Sequence, residues 1–182
     1  MPRNRLGTGL VQVYTGDGKG KTTAALGVAM RALGAGLKVA FLQLFKGAVP
    51  SSELAVAGRL GPNLWVKRFA RELTPFSLGR GEPTAEDRRV AGEAWQTARQ
   101  VILSGEWDVV VLDEVNNLLR AGLVPLEELL ATLAERPGHV EVICTGRGAP
   151  PRLVEAADLV TEMRCVKHPY ERGIQARPGL DC

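Results

Sequence analysis

Near the N-terminus a short β-type run, Val11-Gln12-Val13-Tyr14, breaks into Thr15-Gly16-Asp17-Gly18-Lys19-Gly20-Lys21-Thr22-Thr23 and then into Ala24-Ala25. A strand that turns through three glycines into a helix start leaves few folds open. Gly16, Gly18 and Gly20 lack Cβ atoms, so the main chain can take positive φ and aim several N–H groups at one anion. The helix opening at Lys21 presents its positive dipole end, about half a charge, to the same place. Lys21 supplies a mobile cation for outer phosphates, and Thr22 a hydroxyl for Mg²⁺. The phosphate-loop pattern G-x-x-x-x-G-K-[ST] is met except at its first position, where Thr15 stands for glycine. A glycine-rich surface turn with two exposed lysines is the other reading. The strand before and the helix after are the context the motif requires, and they favour a nucleotide-binding loop.

Beyond the loop, strand-like and helix-like segments alternate. Leu10–Tyr14 is expected as the first strand and Lys21–Leu33 as a helix stopped by Gly34 and Gly36. Leu37–Leu44 and Leu64–Phe69 read as strands, separated by a loop over Lys46–Pro62. A second loop spans Arg71–Pro83, and loops this long in a compact domain are more often functional than idle. Thr84 with Asp87 forms a variant capping box for a long helix, along which Ala91, Ala94, Trp95, Ala98, Val101 and Ile102 recur at helical spacing. Trp95 on that stripe is expected in the core. Trp107–Leu112 is nearly continuously apolar, as befits a strand buried on both faces of a parallel sheet. Leu126–Glu135 (helix), Val140–Thr145 (strand), Pro151–Ala157 (helix) and Leu159–Arg164 (strand) complete an α/β pattern with a mainly parallel sheet flanked by helices, in one domain over residues 1–182.

Ligands of such sheets sit beyond the carboxyl ends of the strands. The loop over Gly16–Thr23, Asp113-Glu114 and Gly146-Arg147 each follow a strand and should meet at one edge. A carboxylate ending an apolar strand of a phosphate-loop protein holds Mg²⁺ beside the loop hydroxyl, so Asp113, Glu114 or both are expected to act with Thr22. The competing reading is that Asp113 caps a helix at Asn116–Leu119. Arg147 could reach the phosphates, although an arginine in a glycine-rich turn is usually solvated. His139 and His168 have no partner at metal-ligand spacing and read as structural.

Composition narrows the partners. The net charge of +3 is too small to demand a nucleic acid. No apolar run approaches the ~20 residues of a membrane span, and Met1-Pro2-Arg3-Asn4-Arg5 lacks the apolar core of a secretory signal. Cys144, Cys165 and Cys182 follow no CxxC spacing and are expected to be buried free thiols, rather than a metal site or disulfide framework, in a reducing, cytoplasmic setting.

The chain resembles the ATP:corrinoid adenosyltransferases of the phosphate-loop type. The resemblance rests on T-G-D-G-K-G-K-T-T-A-A followed by R-A-L-G-A-G, then V-V-L-D-E, P-L-E-E-L-L, R-P-G-H, T-G-R-G and the terminal V-K-H-P-Y-E-R-G-I-Q-A-R-P-G-L-D. It implies a RecA-like α/β fold, a homodimer, and transfer of the 5′-deoxyadenosyl group of ATP to the Co(I) of reduced cobalamin or a corrinoid precursor, with a reductase supplying electrons. It further implies that Thr15, Gly16, Asp17, Gly18, Lys19, Gly20, Lys21, Thr22 and Thr23 hold the triphosphate, with Arg31 and Arg147 near the nucleotide. Thr22 with Glu114 or Asp113 would hold Mg²⁺, or Mn²⁺ in its place. Apolar residues beneath the corrin would displace its lower ligand, for which Phe69, Leu73 and Phe76 are the candidates. Few residues precede the first strand, so the N-terminal helix that covers the corrinoid in such proteins is not expected here. A phosphate-loop ATPase or small-molecule kinase, and a nucleotide-binding regulator without turnover, are the alternative activities.

Overall fold

The computed structural model describes residues 5–46, 55, 57, 59–70, 81–175, 177, 179 and 180. Six strands, β1 (Val11–Thr15), β2 (Val39–Lys46), β3 (Leu64–Ala70), β4 (Val109–Asp113), β5 (Glu141–Thr145) and β6 (Leu159–Glu162), form one sheet in the order β3-β2-β4-β5-β1-β6. Every pairing is parallel. Helices α1 (Lys21–Gly34), α2 (Ala85–Ser104), α3 (Val115–Arg120), α4 (Leu126–Glu135) and α5 (Pro151–Ala156) connect them, and a short 3₁₀ turn over Pro169–Arg172 follows.

The period-2 alternation of the strands divides the core between the two faces. Val11, Val13, Ala40, Leu42, Leu44, Val110, Leu112, Val142 and Cys144 face α2, α3, α4 and α5. Tyr14, Val39, Phe41, Val109, Val111 and Ile143 face α1, which buries Ala25, Ala29 and Ala32 against them. Central strands β4 and β5 are buried at every position, which explains their apolar runs Val109–Leu112 and Val142–Cys144, with polar residues only at strand ends. On α2 the alanine-rich stripe lets the helix lie close to β2. Trp95 is 3% exposed there and directs its indole N–H to Glu128 Oε2 at 2.7 Å. Burying a large apolar side chain of this kind stabilises the fold by roughly 1.5–3 kcal/mol.

The expected elements are present, with their ends as expected or shifted by at most two residues. Thr84 caps α2 as expected: its Oγ1 accepts from Asp87 N at 3.1 Å, while Asp87 Oδ2 accepts from Thr84 N at 2.9 Å. The long loops around residues 47–54 and 71–80 lie outside the described residues, and Leu73 and Phe76 with them. No helix among the described residues is long and apolar enough to cross a membrane.

Candidate active site

Strand order decides which residues meet. β1, which delivers the phosphate loop, and β4, which delivers Asp113, are not neighbours, because β5 runs between them. The carboxyl end of β5 therefore stands between loop and carboxylate, and the residue there is Thr145. Its Oγ1 donates to Asp113 Oδ1 at 2.7 Å and accepts from Glu114 N at 3.0 Å. Thr22, in the first turn of α1, donates its own hydroxyl to the same Asp113 Oδ1 at 2.8 Å. Asp113 and Thr145 are wholly buried. Asp113 is thus engaged with the phosphate-loop hydroxyl across 91 residues of sequence and does not cap α3. The residue at the start of that helix is Glu114, which makes no side-chain cap.

Glu114 has φ 71° and ψ 12°, and among the described residues it alone combines positive φ with a side chain. That conformation costs about 1–2 kcal/mol in a residue with a Cβ, and such strain persists only where surrounding contacts fix it. Here the Thr145 hydroxyl holds its N–H, and Asn117 Nδ2 bonds its carboxylate oxygen Oε2.

Lys21 lies over the loop it terminates. Its Nζ donates to the carbonyls of Gly16 at 2.6 Å and Gly18 at 2.7 Å. Partial burial lowers its pKa from the usual 10.5, and Arg147 nearby adds to the shift, against Glu114 and Asp17, which pull the other way. Arg147 itself is exposed, with Nη2 3.5 Å from the Asp17 carbonyl and its backbone N–H donated to Asn117 Oδ1 at 2.8 Å. Lys21, Thr22, Asp113, Glu114 and Arg147 therefore come together at one edge.

The chain beyond β6 shapes the loop from its other side. Gly18 N donates to Met163 O at 2.7 Å and Met163 N to Thr15 O at 2.8 Å. A Cβ on Gly16 would stand 2.5 Å from the Met163 carbonyl oxygen, and one on Gly18 2.7 Å from the Arg164 carbonyl carbon. Those obstacles are main chain and cannot rotate away, so glycine is required at both positions. Thr15, the departure from the motif, ends β1 and accepts from Ala149 N through Oγ1 at 3.1 Å, tying loop to β5–α5 connection. Lys19 reaches the Leu180 carbonyl in the C-terminal segment.

Two candidates stand apart from this cluster. Arg31 occupies the last turn of α1, exposed, ten residues and about 15 Å along the helix from Lys21. The structure thus places Arg31 away from the phosphate loop, and the expectation that it lies near the nucleotide rests on the family resemblance alone. Phe69 ends in the core, 9% exposed among the residues packed around α2. Conversely, reading the sequence missed Thr145 and Asn117. The one signal for Thr145 was a polar residue closing the apolar run Val142–Cys144. His139 and His168 bond backbone groups, Gly105 O and Tyr170 N respectively, consistent with structural roles.

The donor set fits Mg²⁺. Thr22, Asp113 and Glu114 offer hard oxygens, and among the described residues no three His, Cys, Asp or Glu side chains gather into a cage. Mg²⁺ is commonly held in that sparse way, by one or two carboxylates together with substrate phosphates and water.

A parallel sheet with a glycine loop opening α1 and an acidic strand end two strands away defines a phosphate-loop nucleotide-binding protein. The flagellar accessory protein FlaH of Methanocaldococcus jannaschii shares this fold, with a TM-score of 0.50 at 13% identity, over 89% of this chain and 77% of that one. Residues 7–182 match the family ATP:corrinoid adenosyltransferase BtuR/CobO/CobP. Similar proteins include the corrinoid adenosyltransferase of Pseudomonas aeruginosa, 38% identical over 95% of this chain and 83% of that protein. Another is that of Escherichia coli K12, 40% identical over 95% of this chain and 85% of that one. The chain belongs to the ATP:corrinoid adenosyltransferase family.

Proposed function

We propose that the chain transfers the 5′-deoxyadenosyl group of ATP to the Co(I) of a reduced corrinoid. The cobalt electron pair forms the new bond to C5′, the C5′–O bond breaks, and its electron pair leaves on tripolyphosphate. The observation that carries this reading is the convergence of Lys21, Thr22 and Asp113 at the phosphate loop in a chain of this family. No general base is needed, because the nucleophile carries no proton. What the protein must supply is orientation of C5′ and neutralisation of the leaving triphosphate. The loop amides and Lys21 would bind the phosphates, with Arg147 at the rim. Thr22, Asp113 and Glu114 would hold Mg²⁺, with Mn²⁺ as a substitute. When bound, the ion supplies positive charge against the leaving group. A homodimer in the cytoplasm, served by a separate reductase, completes the proposal.

The test is incubation with ATP, Mg²⁺ and chemically reduced cobalamin, followed by absorbance and by phosphate analysis. A cobalt–carbon product with stoichiometric tripolyphosphate is expected. ADP with phosphate or a phosphorylated acceptor, and no alkylated corrinoid, would favour the ATPase or kinase reading instead.

Lys21 also predicts a pH effect. Its folded pKa is lowered below 10.5, and an incoming triphosphate raises it again. On the alkaline side, between the lowered value and 10.5, ATP binding should take up protons, and affinity should fall as pH rises through that window. Calorimetry in buffers of different ionisation enthalpy measures the uptake. Lys21→Ala should abolish it.

A further inference from the structure

Asn117 belongs to neither the phosphate loop nor the acidic strand end, yet both groups of its side-chain amide are committed at the site. Its Oδ1 accepts from Arg147 N at 2.8 Å, and its Nδ2 donates to Glu114 Oε2. One amide therefore joins two turns that leave the sheet from different strands, β4 and β5. The neighbouring Asn116 adds a second tie to the same turn, from Nδ2 to Gly146 O at 3.2 Å. On the other side Thr145 secures the main chain of Glu114. Glu114 is thus held at two points, its N–H by Thr145 and its carboxylate by Asn117, in a backbone conformation it would not adopt unaided.

We infer that Asn117 is a positioning residue that fixes the Glu114 carboxylate and the Arg147 turn relative to one another, so that the metal side and the phosphate-rim side of the site are set by a single amide. The inference rests on the proposed roles of Glu114 and Arg147. Its physical basis is that an oriented carboxylate binds a hard cation with little reorganisation, whereas a carboxylate free to rotate must first be ordered. Partners that orient a ligand in this way are worth about tenfold to a hundredfold in metal affinity. Only the amide of Asn117 can serve both turns: a carboxylate would lack the donor for Glu114, and an aliphatic residue would lack both groups.

The experiment measures ATP binding to the full-length chain by calorimetry as a function of Mg²⁺ concentration, without corrinoid or turnover. Parent, Asn117→Ala, Asn117→Leu, Glu114→Gln and the Asn117→Ala/Glu114→Gln double variant are compared, with thermal unfolding as the check on folding. Asn117 is only half-buried and Arg147 N is near solvent, so at least one of the two substitutions is expected to fold. The Mg²⁺ midpoint should rise about tenfold or more in Asn117→Ala or Asn117→Leu. In the Glu114→Gln background the same change should add less than twofold, because its route through the carboxylate is gone. A folded Asn117 variant with the parental midpoint, while Glu114→Gln shifts it, would overturn the positioning role and leave the Glu114 assignment standing. Parental midpoints in Glu114→Gln and in a folded Asn117 variant alike would overturn the Glu114 assignment and the inference with it. Equal effects of Asn117→Ala in both backgrounds would show that it acts without Glu114, against the inference.

Discussion

Replacing Lys21 by alanine is expected to lower kcat/KM for adenosyl transfer about a hundredfold or more, the scale found when a preorganised charge is removed from a developing anion. The fold should survive. Lys21 Nζ is bonded to the carbonyls of Gly16 and Gly18, which water can serve in its absence, and alanine is the best helix former for the first position of α1. Lys21→Arg should rescue little, since a planar fork cannot replace a compact ammonium between two carbonyls of one tight loop. Steady-state rates with saturating Co(I) corrinoid and varied ATP provide the check. Near-parental turnover in a folded Lys21→Ala would mean that the loop amides alone neutralise the leaving group.

A second large effect is expected from Asp113→Asn. The carboxylate accepts the hydroxyls of both Thr22 and Thr145 at a fully buried position. Asparagine keeps one acceptor oxygen but replaces the other with an NH₂ group and removes the charge. Loss of a charged acceptor costs about 1.5–3 kcal/mol of stability for hydrogen bonds of this kind. Mg²⁺ affinity should fall about tenfold to a hundredfold whether Asp113 touches the ion or only orients Thr22. A Mg²⁺ titration of ATP binding beside a urea unfolding curve separates the two losses. Parental Mg²⁺ dependence in Asp113→Asn would move the metal role wholly to Glu114.

Local chemistry made much of this architecture legible in advance. The glycine loop, the capping pair Thr84 and Asp87, the alanine–tryptophan stripe of α2 and the apolar runs of strands β4 and β5 each carry their own signal within a few neighbouring residues. Strand ends were less legible, because a ladder partner rather than composition decides where a strand stops. What could not be read were the relations between distant segments. Thr145 gains its place from β5 lying between β1 and β4, and nothing in Cys144-Thr145-Gly146 announces that neighbour. Asn117 reads as an ordinary helix residue until the turn at Arg147 is set beside it. Arg31 shows the same limit from the other side: the motif that names it says nothing of the 14-residue helix that carries it away from the phosphate loop.

The bonds from Met163 to Thr15 and Gly18 have a consequence in time. The loop is encoded near the start of the chain, yet its described shape depends on main chain that follows the last strand of the sheet. Contacts so far apart in sequence are made late, after the intervening segments have closed. A chain emerging N-terminus first from the ribosome would thus expose its nucleotide motif before the segment that completes the cradle has been made. The cradle is thus closed by two main-chain bonds to Met163, and its final shape belongs to the assembled sheet rather than to the motif by itself.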